Sequence, residues 1–378
     1  MRFPPAILAL ADGRVFEGIS IGAPGQGVGE LVFNTSMSGY QEMLSDPSYA
    51  HQIITLTSAH VGNVGCNPDD MESYRGWASG LVVRDYVEAY SNYRAKQSLS
   101  SWLKAQGIVA IAGLDTRALT QCLRQHGAIN ACISTEHQDP AHAIAKAASC
   151  ASLSGMDLAS VVSRQEESVW RDGQGLFATS SEAPRYHVVV YDFGVKYSIL
   201  RILVDLGCRV TVVPAKTSPD VVLAMQPDGI VLSNGPGDPA ACDYAITATA
   251  EFLRANIPLL GICLGFQILA LACGAQAIKM SHGHHGANHP VMERLGLKRV
   301  FITSQNHGFA IDEASLPDVL MASHHSLFDG SLQGIIHRLH PAIGFQGHPE
   351  SSPGPHEADV IFDSFIRLMA EKKPSTGV

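Results

Sequence analysis

The sharpest chemical signal in the 378-residue sequence is a cysteine set between glycines, Gly261-Ile262-Cys263-Leu264-Gly265. It follows the apolar run 258–260 and precedes the apolar stretch 267–272. That is the layout of a tight strand-to-helix turn, which lifts its central side chain above a sheet edge. The flanking positions need glycine because a side chain there would meet the neighbouring strand and helix. A thiol at a helix start also faces the positive end of the helix dipole, which favours its nucleophilic form. Further on stands Gln346-Gly347-His348-Pro349-Glu350. His and Glu two apart on extended chain point to the same side, and Pro349 favours that extended form for His348. The order Cys263, His348, Glu350 reads as a nucleophile, its base and the group that orients the base. A third segment, Ser233-Asn234-Gly235-Pro236-Gly237-Asp238-Pro239, follows the apolar run 229–232. Its two glycines let the backbone approach a ligand and turn N–H groups inward, an oxyanion hole to be shared with the amide of Leu264. Each piece alone has an ordinary reading: a core cysteine, a strand-end histidine, a Gly/Pro turn. Paired with the elbow, the histidine and glutamate become coherent.

The histidines offer a competing chemistry. His282, His284, His285 and His289 lie close together, and His324-His325 could join them around a metal. Zinc sites usually draw ligands from ordered elements and often add cysteine or carboxylate. This run is Gly-rich and meets no acidic residue until Glu293. A polar loop beside the active site is therefore expected, with no metal; a metal-dependent amidohydrolase is the alternative.

The elements that must position these residues fall into two halves. From 187 onward, apolar strands at 187–192, 209–214, 229–233, 258–262, 300–304 and 344–347 alternate with helices at 198–206, 244–255, 267–272 and 359–369. Continuous apolar strands alternating with helices predict a mostly parallel central sheet covered on both faces. The first half predicts a mixed β/α domain, with strands at 7–10, 30–34, 52–57, 81–84 and 131–133. Asp12-Gly13 signals a hairpin. Helices are expected at 99–106 and from 115 or 116 to the residue before Gly127, where Asp115 or Thr116 suits an N-cap and Gly127 a C-terminal stop. The polar stretch 163–185 reads as a linker between domains at 1–162 and 186–374.

Composition excludes several function classes. A net charge of −9 argues against a nucleic-acid partner held through phosphates. No apolar run approaches the ~20 residues that cross a bilayer, and the N-terminus does not read as a secretory signal, so a cytoplasmic location is expected. The eight cysteines lack disulfide or C-x-x-C spacing and should be free thiols. The sequence has no Walker A or dinucleotide fingerprint, so no nucleotide chemistry is expected on this chain.

The Gly-Ile-Cys-Leu-Gly turn followed by Gln267, the Asn-Gly-Pro-Gly-Asp-Pro loop and the His-Pro-Glu triplet resemble the class I, triad-type glutamine amidotransferases over roughly 187–370. In the first half, residues 33–42 (Phe-Asn-Thr-Ser-Met-Ser-Gly-Tyr-Gln-Glu) and Asp46-Pro47-Ser48-Tyr49 are similar to the carbamoyl-phosphate synthetase small-subunit family. Asn63-Val64-Gly65, Asp115-Thr116-Arg117 and Gly155-Met156-Asp157-Leu158 match that family too, so nearly the whole chain is covered. The resemblance implies a glutaminase domain that hydrolyses L-glutamine with Cys263, His348 and Glu350. It implies substrate contacts from Ser48, Gln267, Asn306, Gly308 and Phe309, and an oxyanion site at Gly235, Gly237 and Leu264. It also implies that ammonia passes to a separate large subunit carrying ATP and Mg, where carbamoyl phosphate for arginine and pyrimidine biosynthesis is made, with no cofactor on this subunit. Glutaminases of other synthases are the runner-up, and they generally lack the first domain. One departure stands out: Phe266 occupies a position where these glutaminases usually carry His.

Overall fold

The computed structural model describes residues 3–136, 138–175 and 183–372. They form two compact units. One runs up to Ser154 and takes in Ser281–Gly286; the other comprises Gly155–Met280 and the residues from Ala287 on.

In the first unit, β1 (Pro5–Leu10) and β2 (Val15–Ser20) form the hairpin expected at Asp12-Gly13. They are followed by β3 (Gln26–Asn34), α1 (Tyr40–Ser45), β4 (Gln52–Leu56), β5 (His60–Val61), β6 (Gly80–Val83) and β7 (Asp85–Tyr86). Then come α2 (Leu99–Gln106), β8 (Val109–Ala112), α3 (Thr116–His126), β9 (Ile129–Ser134) and α4 (Pro140–Ala148). Seven strands close into a barrel in the order β1-β2-β8-β6-β4-β3-β9, which leaves no open edge. Helix α2 starts at Ser98, whose side chain accepts from Ser101 N, and ends at Gly107 in the left-handed region. Helix α3 is capped in the same way by Asp115, which accepts from Ala118 N.

The second unit opens with α5 (Ala159–Val162) and β10 (Ser168–Trp170), a short strand inside the stretch read as a linker. Residues 176–182 of that stretch lie outside the described residues. Then come β11 (Tyr186–Asp192), α6 (Tyr197–Asp205), β12 (Cys208–Pro214), α7 (Pro219–Ala224), β13 (Gly229–Leu232), α8 (Asp243–Arg254), β14 (Leu259–Ile262) and α9 (Leu264–Ala272). The chain continues through β15 (Ala277–Glu293), β16 (Val300–Ile311), β17 (Leu320–Ser326), β18 (Leu332–His337), β19 (Ala342–Phe345) and α10 (Val360–Lys372). All ten strands belong to one sheet, ordered β10-β12-β11-β13-β14-β19-β18-β17-β15-β16.

The middle of this sheet, from β12 to β19, is parallel, as the alternating pattern predicts. Its strands read as continuous apolar runs because both faces are covered. Val189, Ile230 and Leu259 face a core shared with Phe252 of α8 and Phe266 of α9. Val188, Val231 and Leu260 face the opposite core, with Ile199 of α6 and Phe365 of α10. Antiparallel pairing extends the sheet on both sides, β10 on β12 and β18–β17–β15 beyond β19. The His-rich stretch is therefore a strand, β15, and not the loop expected from its glycines. It lies between β17 and β16 in the sheet order, and polar side chains do not prevent strand pairing.

His324 of β17 is buried between aromatic rings, 5.3 Å from Phe345 and 6.1 Å from Phe301. Burial pushes its pKa down to about 4. Between pH 6.5 and 4 the unfolded chain then binds the proton that the folded chain refuses, so stability falls as pH falls through that window. A His324→Leu variant should lose most of this acid slope, a difference on the order of 3 kcal/mol between pH 7 and pH 4. Denaturant unfolding of both proteins across that range checks it; parallel slopes would contradict it.

Candidate active site

The turn after β14 places Cys263 as the N-cap of α9, with φ 52° and ψ −104°, a strained conformation for a residue with a side chain. Three contacts hold it there. Cys263 N donates to Phe345 O at 2.9 Å, Gln267 N donates back to Cys263 O at 3.2 Å, and Gly265 N donates to Ser233 O at 3.0 Å. The flanking glycines are required by close approach: a Cβ at Gly265 would collide with Leu232 O, and one at Gly261 with the Gly265 carbonyl. The result is a buried sulfur at the end of a rigid strand. Sγ donates to Asn306 O at 3.5 Å and accepts from Gln346 Nε2 at 3.8 Å.

His348 follows β19 and is tied to β16 by His348 N donating to Ser304 O at 2.9 Å. Its Nδ1 lies 2.7 Å from Glu350 Oε1, the arrangement expected from the His-Pro-Glu spacing. Both side chains are almost wholly buried. Nε2 of His348 is also buried, and it has no hydrogen-bond partner among the described residues. Burial disfavours the imidazolium, but the charges of Glu350 and Cys263 outweigh it and raise the His348 pKa.

Sequence reasoning missed one member of this cluster. Lys196, just before α6, is 3% exposed at its side chain; its Nζ lies 2.9 Å from Glu350 Oε1 and also donates to Ser351 O. Burial alone would raise the Glu350 pKa, yet Lys196 and then His348 hold it well below the usual carboxylate range. The available signal was a lysine between two apolar segments, Phe193-Gly194-Val195 and Ile199-Leu200, where a solvated charge is out of place.

The remaining expected residues sort by unit. The loop 233–239 lies against the elbow: Gly235 packs against Phe193 O and Leu264, while Lys196 N donates to Asn234 Oδ1 at 3.1 Å. Asp238 anchors the far end of that loop, its N–H donating to Met156 O and its carboxylate accepting from Gly155 N. Gln267 Nε2 donates to Phe309 O at 2.8 Å and to Gln346 Oε1 at 3.0 Å. Gly308 is half-buried, with open space where a Cβ would stand. Ser48 belongs to the first unit, in a short turn where its N–H donates to Asp46 Oδ1. Phe266 is fully buried in the core, against Gly344. The histidines divide between the two units. His282, His284 and His285 belong to the first unit, whereas His289, His324 and His325 belong to the second, where His325 pairs with Glu313 at 2.6 Å. Among the described residues no cluster of three or more His, Cys, Asp or Glu could hold a metal ion, and no helix is long and apolar enough to cross a membrane.

A buried cysteine on a strand-to-helix elbow, beside a buried His–Glu pair, is the arrangement that a nucleophile, its base and an orienting group require. Residues 189–368 match the glutamine amidotransferase class-I family, and residues 8–133 match the carbamoyl-phosphate synthase small chain, CPSase domain. The carbamoyl phosphate synthase small chain of Vibrio cholerae is 59% identical over 97% of this chain and 98% of its own length. That of Pseudomonas aeruginosa is 57% identical over 98% and 99%. A glutamine amidotransferase of Thermotoga maritima, of known structure, covers 50% of this chain and 85% of its own at 19% identity and a TM-score of 0.37. The chain belongs to the carbamoyl phosphate synthase small chain family.

The buried charges generate a stability prediction. Lys196→Met should cost about 3 kcal/mol, because it leaves Glu350 buried beside one cation instead of two. Adding Glu350→Gln to that variant should recover most of the loss. Urea unfolding at pH 7 measures both; a double variant as unstable as the sum of the singles would contradict the coupling.

Proposed function

We propose that this chain hydrolyses glutamine at Cys263 and delivers the ammonia to a carbamoyl phosphate synthase large subunit. The observation that carries this reading is the buried Cys263–His348–Glu350 cluster, with Glu350 pinned by Lys196. Cys263 transfers its proton to His348, and the sulfur attacks the side-chain carboxamide carbon of L-glutamine. The oxyanion that forms is held by backbone N–H groups around Gly235, Gly237 and Leu264. His348 then protonates the departing nitrogen; ammonia leaves and a glutamyl thioester remains on Cys263. Water gives a proton to His348 as it attacks the thioester, which releases glutamate and regenerates the thiol. Glu350 keeps His348 in the tautomer and orientation that both steps need. Gln267, Asn306, Gly308 and Phe309 hold the substrate.

The reaction on this chain needs no cofactor. ATP and Mg belong to the large subunit, which joins ammonia to bicarbonate and makes carbamoyl phosphate for arginine and pyrimidine biosynthesis in the cytoplasm. Family membership of the whole chain and the acidic net charge support a protein partner over nucleic acid. Phe266 sits in the apolar core beneath the elbow and takes no part in the proton transfers.

Cys263→Ser should lower glutamate release about 10³-fold or more. The same variant, assembled with the large subunit, should still make carbamoyl phosphate from added ammonia, and EDTA should leave wild-type glutaminase activity unchanged. Glutamate release that survives the substitution, or is lost on chelation, would overturn the reading.

A further inference from the structure

Gln346 is wholly buried at the end of β19, and its amide lies between Gln267 and the sulfur of Cys263. The orientation of that amide follows from a chain of contacts. Gln267 faces the carbonyl oxygen of Phe309 at 2.8 Å, and a carbonyl can only accept, so the Gln267 nitrogen must point there. The same nitrogen lies 3.0 Å from the Gln346 side chain, which must therefore present its oxygen. Gln346 Nε2 is left facing Cys263 Sγ at 3.8 Å. On its other side the sulfur faces the Asn306 carbonyl at 3.5 Å. One neighbour accepts and the other donates. The protonated thiol is matched by Asn306 O, and the thiolate by the Gln346 side-chain N–H.

We propose that Gln346 is a catalytic residue that holds the Cys263 thiolate, a role that rests on the reading of Cys263 as the nucleophile. When Cys263 passes its proton to His348, the contact with Asn306 O loses its hydrogen and turns repulsive. The sulfur is then drawn to the Gln346 amide, which is neutral at every working pH and cannot compete for the proton. The titratable groups in this cluster are His348 and, behind it, Glu350 and Lys196; a change at Gln346 leaves all three in place. Gln267, fixed by the same amide, keeps its side-chain oxygen available for substrate.

Two variants of the full chain test this: Gln346→Glu, which replaces the donor by an acceptor, and Gln346→Met, which removes it. The readouts are the pH profile of iodoacetamide alkylation at Cys263, corrected with Cys263→Ser for the other cysteines, and steady-state glutaminase kinetics. The alkylation profile should move up by about one pH unit, with alkylation at pH 7 slowed about 10-fold. kcat should fall by about 10-fold or more while KM changes less than about 2-fold. A profile in both folded variants that superimposes on wild type would overturn the proposal. So would a raised KM with kcat unchanged, which would assign Gln346 to supporting Gln267 alone. If Cys263→Ser retains glutaminase activity, the nucleophile reading fails, yet the alkylation profile still tests the Gln346–Cys263 contact by itself.

Discussion

The second unit is organised around one costly interaction, a carboxylate with no exposure to solvent. Glu350 survives as an anion because Lys196 lies 2.9 Å from the oxygen that also meets His348 at 2.7 Å. Desolvation of a single carboxylate costs several kcal/mol, so neither partner is dispensable. The charges are also directional. Lys196 keeps Glu350 ionised, and Glu350 raises the basicity of His348. A solvated Glu could orient a histidine only loosely and would be screened by water.

This cluster can exist because the sheet delivers its members to one edge. Lys196 lies just beyond the carboxyl end of β11, the 233–239 loop beyond β13, Cys263 beyond β14 and Gln346–Glu350 beyond β19. These four strands are adjacent and parallel, in the order β11-β13-β14-β19. Parallel strands turn the same end toward the same side, which is where open α/β sheets bind ligands. The strain at Cys263 is held by the strand and helix it joins, both packed into cores on opposite faces.

Local chemistry was legible wherever it depended on residues close in sequence. The Cys263 elbow, the His348–Glu350 pair, the Asp12-Gly13 hairpin, the Asp115 cap and the alternation of apolar strands with helices all follow from short-range rules. What escaped were features that depend on pairing between distant segments. The barrel joins β1 to β9 across more than a hundred residues, and no local pattern announces that closure. Strand β15 carries His, Gly and Ser and reads as loop from its own residues, and no short-range pattern singled out β17 or β18 as strands. Lys196 escaped because its partner lies 154 positions away. The glutamate it neutralises was visible, but nothing in its neighbourhood showed that it would be buried.

The central claim is covalent: a glutamyl group carried on the Cys263 sulfur. Mixing the enzyme with radiolabelled glutamine, quenching in acid within the first turnover and mapping the labelled peptide tests it directly. The account predicts label on the peptide containing Cys263, lost on treatment with hydroxylamine and absent from Cys263→Ser. Steady glutamate release with no label on that peptide, or label retained after the cysteine is replaced, would contradict it.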